Sequence, residues 1–234
     1  MTKLSVNVNK IATLRNARGN NIPELESVTA SIIRFGSDGI TIHPRPDERH
    51  IKYSDISPIA DLTKDKIEFN IEGFPSEKFL KKVLEVKPDQ VTLVPDKPDT
   101  LTSLEGWDTI KNRDMLKKVI QNLHNSDIRV AIFIHPNLDM LKGAFEIQAD
   151  RIELFTGIYA ENKQTIDSYV ACSEYAHSIG MGVNAGHDLD LNNLPFFISK
   201  MPYLDEVSIG HALISESLFL GLEKTIKMYK EILA

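Results

Sequence analysis

The fold is indicated most directly by the stretch Ser37-Asp38-Gly39-Ile40-Thr41-Ile42-His43. Asp38 can accept hydrogen bonds from nearby backbone, which favours a turn before the apolar run. The run of aliphatic and β-branched residues that follows is typical of a short, buried parallel strand. The stretch therefore predicts a strand that carries the titratable side chain of His43 at its carboxyl end.

The same pattern of a turn residue, Asp, any residue and an aliphatic run recurs at residues 88–94, 149–154 and 204–209. Strand candidates lie near residues 3–8, 38–42, 67–71, 90–94, 129–134, 151–155, 181–185 and 206–209. Amphipathic stretches of helical length lie at residues 23–35, 76–86, 114–123, 138–147, 164–179 and 212–233. This alternation predicts an α/β fold, a closed (β/α)8 TIM barrel with extra short helices in the βα loops.

A doubly wound open sheet is the alternative architecture. Its dinucleotide-binding version needs a glycine-rich turn after the first strand, and residues 7–13 contain no glycine. The length of 234 residues suits one barrel-sized domain, so we expect residues 1–234 to form a single catalytic domain.

Composition narrows the range of partners and compartments. The net charge of -6 gives no support for nucleic-acid binding. The only cysteine, Cys172, excludes an intrachain disulfide and a cysteine-based zinc site. No apolar run approaches the length of a membrane span, and the start of the chain does not resemble a signal peptide. We therefore expect a cytoplasmic protein with no membrane partner.

Titratable side chains follow the ends of three predicted strands. His43, Glu72 and His187 come after the second, third and seventh strands, and barrel closure would bring all three to one mouth. Imidazoles and a desolvated carboxylate suit proton transfer near neutral pH. Any one of these histidines alone is more often structural, but their common location favours an active site.

Basic residues lie in two loops that follow predicted strands. Residues 9–22 include Lys10 and Arg18, and residues 43–53 include Arg45. Arginine binds phosphate or carboxylate with a fork geometry, although an arbitrary surface arginine is usually only solvated. Two such loops on one rim favour an anionic substrate.

Two Gly-His turns add to this rim. Gly186-His187 and Gly210-His211 follow the seventh and eighth strands, where barrels often bind phosphate through backbone N–H groups. A metal site is the competing use of the histidines at residues 43, 135, 187 and 211. Close His-x-His or His-x-x-x-His spacing is lacking, so we expect no metal.

At these residues the chain resembles the pyridoxine 5'-phosphate synthase family of vitamin B6 biosynthesis. The similarity extends from Leu4 to about Leu233 and is specific only as a set. Its motif segments are Val6-Asn7, Ile11-Ala12-Thr13-Leu14-Arg15-Asn16-Ala17-Arg18-Gly19, Asp38-Gly39-Ile40-Thr41-Ile42-His43, Asn70-Ile71-Glu72, Thr156-Gly157, Val183-Asn184-Ala185-Gly186-His187 and Ile209-Gly210-His211-Ala212.

The resemblance implies an enzyme that joins 1-deoxy-D-xylulose 5-phosphate and 3-amino-2-oxopropyl phosphate. The products would be pyridoxine 5'-phosphate, phosphate and water, formed by acid/base catalysis without a cofactor or metal in a homo-octamer built from dimers. It implies four catalytic residues: His43 as base, Glu72 as a second acid/base, His187 as acid and Glu153 as a supporting carboxylate. The implied substrate-binding residues are Asn7, Arg18, Arg45, His50, Thr102, Asp188, Gly210 and His211.

The chain departs from the family pattern at several rim positions. Asn9-Lys10 stands where the family commonly has Asp-His, and Asp188 stands where Gly often follows the seventh-strand histidine. His135 replaces the usual Asp after the fifth strand. A carboxylate at residue 188 would repel a phosphate, so we expect any contact there to use backbone.

Two other functions remain open at this point. One is a lyase or epimerase that acts on another sugar phosphate with the same barrel. The other is a protein that binds a phosphorylated metabolite without catalysis, which would have little use for three titratable groups in one mouth.

Overall fold

The computed structural model describes residues 1–96 and 103–234. Eight parallel strands pair in sequence order, and β1 pairs with β8 to close the barrel. The strands are β1 (Lys3–Asn7), β2 (Gly39–Ile42), β3 (Glu68–Gly73), β4 (Gln90–Leu93), β5 (Arg129–Ile134), β6 (Arg151–Phe155), β7 (Gly182–Gly186) and β8 (Glu206–Ile209). The predicted (β/α)8 barrel is confirmed, and the open sheet is wrong.

Helices surround the barrel and also occupy several loops at its carboxyl end. They are α1 (Asn9–Asn16), α2 (Leu25–Arg34), α3 (Tyr53–Thr63), α4 (Glu77–Val86), α5 (Arg113–His124), α6 (Leu138–Glu146), α7 (Gly157–Glu161), α8 (Ile166–Ser178), α9 (Leu194–Lys200), α10 (His211–Leu220) and α11 (Leu222–Leu233). A 3-10 turn, Lys163–Thr165, precedes α8. Within the described residues, no helix is both long and apolar enough to cross a membrane.

The repeated aspartates tie the strands together in pairs. Asp38 Oδ2 accepts the backbone N–H of Leu4 in the preceding strand at 2.8 Å. The equivalent bonds go from Phe69 to Asp89, from Val130 to Asp150 and from Val183 to Asp205, at 2.7 to 2.8 Å. Each aspartate thus satisfies an N–H group at the start of the neighbouring strand, which explains why the pattern occurs four times.

The two faces of the strands have different chemistry. Residues such as Ile40 and Ile42 point outward into the layer beneath the helices and are fully buried. The inward face carries polar side chains, in contrast to the aliphatic filling of many barrels. The hydroxyl oxygens of Ser5 and Thr41 lie 2.7 Å apart on this face, and Thr92 Oγ1 donates to Asn70 Oδ1 at 3.2 Å. This polar layer lies directly below the mouth of the barrel.

Three local expectations from the sequence were wrong. Residues 9–16, expected to belong to a long loop without a helix, form α1, one of the short helices in the βα loops, although this polar segment buries only Ile11, Ala12 and Arg15. The predicted helix at residues 212–233 is broken into α10 and α11 at Gly221, whose φ of 85° is left-handed. Glu72 lies inside β3 rather than after it, because pairing of this strand with β4 continues to Gly73.

Candidate active site

His43 is the centre of a buried cluster at the carboxyl ends of β2 and β3. Its Nδ1 atom lies 3.5 Å from Glu72 Oε2, and its Nε2 atom lies 3.6 Å from Asp96 Oδ2. Arg45 approaches the same Asp96 oxygen at 2.8 Å, and Ser103 Oγ donates to it at 2.6 Å. The structure therefore brings His43, Glu72 and Arg45 together.

Asp96 is a member of this cluster that the sequence analysis missed. It is 8% exposed and lies three residues beyond the end of β4, inside a segment rich in Pro and Asp. Its position after a strand could have indicated a site residue, but the residues next to it in the sequence resemble an ordinary polar loop. Its contacts with His43 and Arg45 link the fourth strand to the second across the mouth.

The two groups that face each other in the cluster have shifted pKa values. Burial, together with the positive charge of Arg45, lowers the pKa of His43 to about 4 against the opposing effect of Asp96. Burial and the nearby Asp96 carboxylate raise the pKa of Glu72 to about 7. Between these pH values the contact joins a neutral imidazole to a protonated carboxyl group, so it is not an ion pair. Proton transfer from a protonated His43 to an ionised Glu72 is therefore favourable, because Glu72 has the higher pKa.

Glu153 lies below Glu72 on the inward face of β6. It is 3% exposed and accepts a hydrogen bond from Thr92 Oγ1 at 3.2 Å. Burial and the Glu72 carboxyl raise its pKa to about 8. Glu153 is therefore largely uncharged at neutral pH and can donate a hydrogen bond towards the mouth.

His50 lies on the loop after β2, with its ring centroid 6.4 Å from that of His43. Its Nδ1 atom accepts the backbone N–H of Ile51 at 2.9 Å. Burial and the neighbouring His43 lower its pKa to about 3, so the ring is neutral with its proton on Nε2. The fixed tautomer gives the loop one N–H donor for a ligand.

The end of the first strand positions His43 through the backbone. Asn7 Oδ1 accepts the N–H of Asn9 at 3.0 Å, and Asn9 Oδ1 accepts the N–H of His43 at 3.0 Å. Gly210 adjoins this turn closely, since a Cβ atom there would lie 3.0 Å from Asn7 Cβ. Asn9, a departure from the family pattern, thus supports the backbone that carries His43.

The seventh strand supplies the other side of the mouth. His187 Nδ1 lies 2.7 Å from Asp188 Oδ2, and the ring of Phe155 packs against the imidazole at a centroid distance of 4.9 Å. The ring of His135 also contacts Phe155, at a centroid distance of 5.3 Å. His187 also acts electrostatically on Glu72 and lowers its pKa, against the larger raising effect of burial.

The remaining predicted residues are less closely connected. Arg18 and His211 are exposed, the first beyond the end of α1 and the second at the start of α10. Within residues 1–96 and 103–234, Arg18 has no hydrogen bond or ion pair with the His43 cluster. Thr102 lies outside the described residues.

The histidines of the competing metal hypothesis are dispersed around the rim. In the part of the chain that the structure describes, no group of three or more His, Cys, Asp or Glu side chains is arranged to hold a metal ion. His135 instead lies 3.7 Å from Glu105 and against Phe155.

A closed barrel with these groups at the carboxyl ends of its strands belongs to the class of (β/α)8-barrel enzymes. Solved structures with the same fold include a 4-hydroxy-2-oxoglutarate/2-dehydro-3-deoxyphosphogluconate aldolase, with a TM-score of 0.66, 15% identity and coverage of 99% of this chain and 94% of that one. Phosphoribosylanthranilate isomerase from Thermotoga maritima has a TM-score of 0.59, 15% identity and coverage of 99% and 98%. At this identity the likeness concerns the fold alone.

Sequence comparison identifies the family. The family model described as "Pyridoxal phosphate biosynthesis protein PdxJ" matches residues 4–234. Proteins named pyridoxine 5'-phosphate synthase are similar over their whole length: that of Flavobacterium johnsoniae is 56% identical, with 98% of each chain covered. Those of Christiangramia forsetii and Porphyromonas gingivalis are each 53% identical, with complete coverage. The chain belongs to the PdxJ family and is an enzyme of vitamin B6 biosynthesis.

Proposed function

We propose that this enzyme condenses 1-deoxy-D-xylulose 5-phosphate with 3-amino-2-oxopropyl phosphate to form pyridoxine 5'-phosphate, phosphate and water. Membership of the PdxJ family supports this reaction, as do the names of relatives at 53 to 56% identity. Imine formation, dehydration, phosphate loss and aromatisation each move protons. The observation that carries the proposal is the contact of 3.5 Å between His43 and Glu72, which pairs an imidazole that is neutral at neutral pH with a carboxyl group whose pKa is about 7.

His43 is the base in this proposal. Its imidazole is neutral above a pH of about 4, so its lone pair is available throughout the physiological range. Glu72 is the second acid/base, since a carboxyl group with a pKa of about 7 can both release and take up a proton at neutral pH. A proton taken by His43 can pass to Glu72 when the carboxyl group is ionised, and both groups are then neutral.

His187 is the acid that assists loss of the leaving group, and Glu153 supports the site from below. Support for the first role comes from the position of the half-buried His187 ring opposite Glu72 and against Phe155. Support for the second comes from the raised pKa of Glu153, about 8, which leaves a neutral carboxyl donor beneath the reacting atoms.

Two phosphorylated substrates need two anion sites. Arg45 and the Nε2–H of His50 belong to one, with Asn7, Arg18 and Thr102 as further contacts. The backbone of the two turns after β7 and β8 belongs to the other, at Asp188, Gly210 and His211. Glycine at residue 210 and the start of α10 favour approach of an anion to backbone N–H groups. We further propose a single catalytic domain over residues 1–234 and a cytoplasmic homo-octamer.

Turnover of variants tests the two proton-transfer roles. His43→Asn and Glu72→Gln each retain the shape of the side chain and remove its proton chemistry, so we expect losses of about 10²- to 10⁴-fold in kcat. His124→Asn and Glu85→Gln are matched controls, since these residues lie on α5 and α4 away from the mouth, and Glu85 is 58% exposed. Folded His43 and Glu72 variants with rates like the wild type would refute the roles.

The same assay distinguishes the alternative of a sugar-phosphate lyase or epimerase. Consumption of 1-deoxy-D-xylulose 5-phosphate in the absence of the amine substrate would favour that alternative. Strict dependence on both substrates supports the condensation.

A further inference from the structure

Residues 187 and 188 have an unusual backbone conformation immediately after β7. Both have left-handed φ angles, 88° for His187 and 55° for Asp188. Glycine adopts this conformation without strain, whereas a non-glycine residue occupies it only when its surroundings compensate. The compensation at Asp188 is visible: its carboxylate turns back onto the neighbouring imidazole, with Oδ2 2.7 Å from His187 Nδ1.

The turn is anchored on both sides of this contact. Thr156 Oγ1 lies 2.7 Å from the carbonyl oxygen of Gly186 and 2.5 Å from that of His187, and its single hydrogen can be donated to either. Asn193 Nδ2 donates to the carbonyl of Asp188 at 2.8 Å, and Tyr159 Oη in turn donates to the carbonyl of Asn193 at 2.7 Å. The backbone of the turn is thereby held in a single arrangement.

The imidazole itself is confined by its neighbours. The Phe155 ring packs against it at 4.9 Å with an interplanar angle of 66°, and the His187 side chain is 19% exposed. The Asp188 side chain is 53% exposed, so the carboxylate that contacts Nδ1 remains accessible to solvent. The contact with Asp188 occupies Nδ1, so Nε2 is the ring nitrogen on the side away from Asp188.

We propose that Asp188 is a positioning residue, whose carboxylate accepts the Nδ1–H of His187 and holds the imidazole with the lone pair of Nε2 towards the substrate. Nε2 then takes up a proton in one step of the reaction and donates it to the leaving group in a later one. This inference rests on the proposed function for its catalytic consequence, but the tautomer itself does not depend on it. It also gives the Asp188 side chain a role different from the backbone phosphate contact that the family resemblance implies.

Electrostatics support the assignment. The hydrogen bond from His187 lowers the pKa of Asp188, so the carboxylate is ionised at neutral pH and can accept from the imidazole. His211 contributes in the same direction, while Glu72 faces His187 from β3.

Two variants separate the hydrogen bond from the charge. Asp188→Gly removes the side chain and relaxes the left-handed backbone, so the fold is retained. Asp188→Asn keeps an oxygen that can accept the Nδ1–H but removes the charge, and asparagine tolerates this conformation. Asp139→Asn, on α6 at the same end of the barrel, is the charge-matched control, since its side chain is 71% exposed.

The first readout is magic-angle-spinning NMR of protein labelled with ¹⁵N-histidine, which reports which ring nitrogen carries the proton whatever the size of the assembly. His187→Gln identifies the signals of His187. We expect a protonated Nδ1 and an unprotonated Nε2 in the wild type and the Asp139 variant, and loss of this single tautomer in Asp188→Gly. A wild-type His187 with its proton on Nε2, or an unchanged tautomer in Asp188→Gly, would overturn the proposal.

The second readout is turnover with both proposed substrates. Asp188→Gly should lower kcat by about 10- to 100-fold with little change in KM, because positioning supplies part of the contribution of general acid catalysis. The kcat of Asp188→Asn should lie between that of Asp188→Gly and that of the wild type. An unchanged kcat with a lower KM would mean that Asp188 only repels phosphate, which contradicts positioning. If the wild type lacks this activity, the proposed function fails, and the NMR result alone decides the tautomer.

Discussion

Glu153→Gln should make the stability of the protein less dependent on pH. The pKa of this buried carboxyl group is about 8, raised from 4.5 by burial and by Glu72. A carboxyl group with a raised pKa keeps its proton longer in the folded state than in the unfolded state. The folded state of the wild type therefore loses stability as the pH rises from 4.5 towards 8, and the loss is absent below 4.5.

The size of the effect follows from the shift. Each pKa unit corresponds to about 1.4 kcal/mol, so the cost of Glu153 reaches about 3 kcal/mol at pH 7 and approaches about 5 kcal/mol above pH 8. Glutamine has the shape of the protonated acid, offers Thr92 the same acceptor oxygen and does not ionise. Any penalty of its extra amide hydrogen is independent of pH.

Urea denaturation at pH 5, 6, 7 and 8, at one protein concentration, measures this difference. The free energy of unfolding of Glu153→Gln minus that of the wild type should increase by about 1.4 kcal/mol per pH unit over this range. Glu85→Gln, at an exposed position on α4, should show a constant difference. A constant difference for Glu153→Gln as well would refute the view that Glu153 is held neutral by burial.

Three further predictions concern the cluster around His43. The pH profile of kcat/KM should have a limb near pH 7 that belongs to Glu72, since His43 is already neutral there, and Glu72→Gln should abolish that limb. Asp96→Asn should move this limb to lower pH, because removal of a negative charge beside Glu72 lowers the pKa of Glu72. A limb that stays in place or moves to higher pH would contradict the electrostatic effect of Asp96 on Glu72. Asn9→Ala should destabilise the fold by about 1 kcal/mol in urea denaturation because the N–H of His43 loses its acceptor, whereas Asn9→Asp should keep most of the stability.

The barrel could be predicted from the sequence because the strands have local sequence signals. Asp38 and its three equivalents mark strand starts with a backbone hydrogen bond, and the apolar runs after them lie on the buried outer face. Strand order then follows from the alternation of strands and helices. The helix α1 could not be predicted in this way, because its sequence has little apolar periodicity and its position depends on Asn7 and Val8 at the end of β1.

The site was predictable only in part, for a physical reason. His43, Glu72 and His187 occupy strand ends, so chain position alone places them near one mouth. Asp96 belongs to the same cluster through side-chain contacts with His43 and Arg45, and no sequence spacing encodes such contacts. The orientation of Asp188 onto His187 likewise depends on two left-handed residues that are visible only in three dimensions.

The central claim is tested most directly by mass-spectrometric detection of pyridoxine 5'-phosphate after the purified enzyme is incubated with 1-deoxy-D-xylulose 5-phosphate and freshly prepared 3-amino-2-oxopropyl phosphate. Reactions that omit one substrate, and a reaction with Glu72→Gln, serve as controls. We predict product only when both substrates and the wild-type enzyme are present. Absence of product from enzyme that binds both phosphates, or product formed from one substrate alone, would contradict the account.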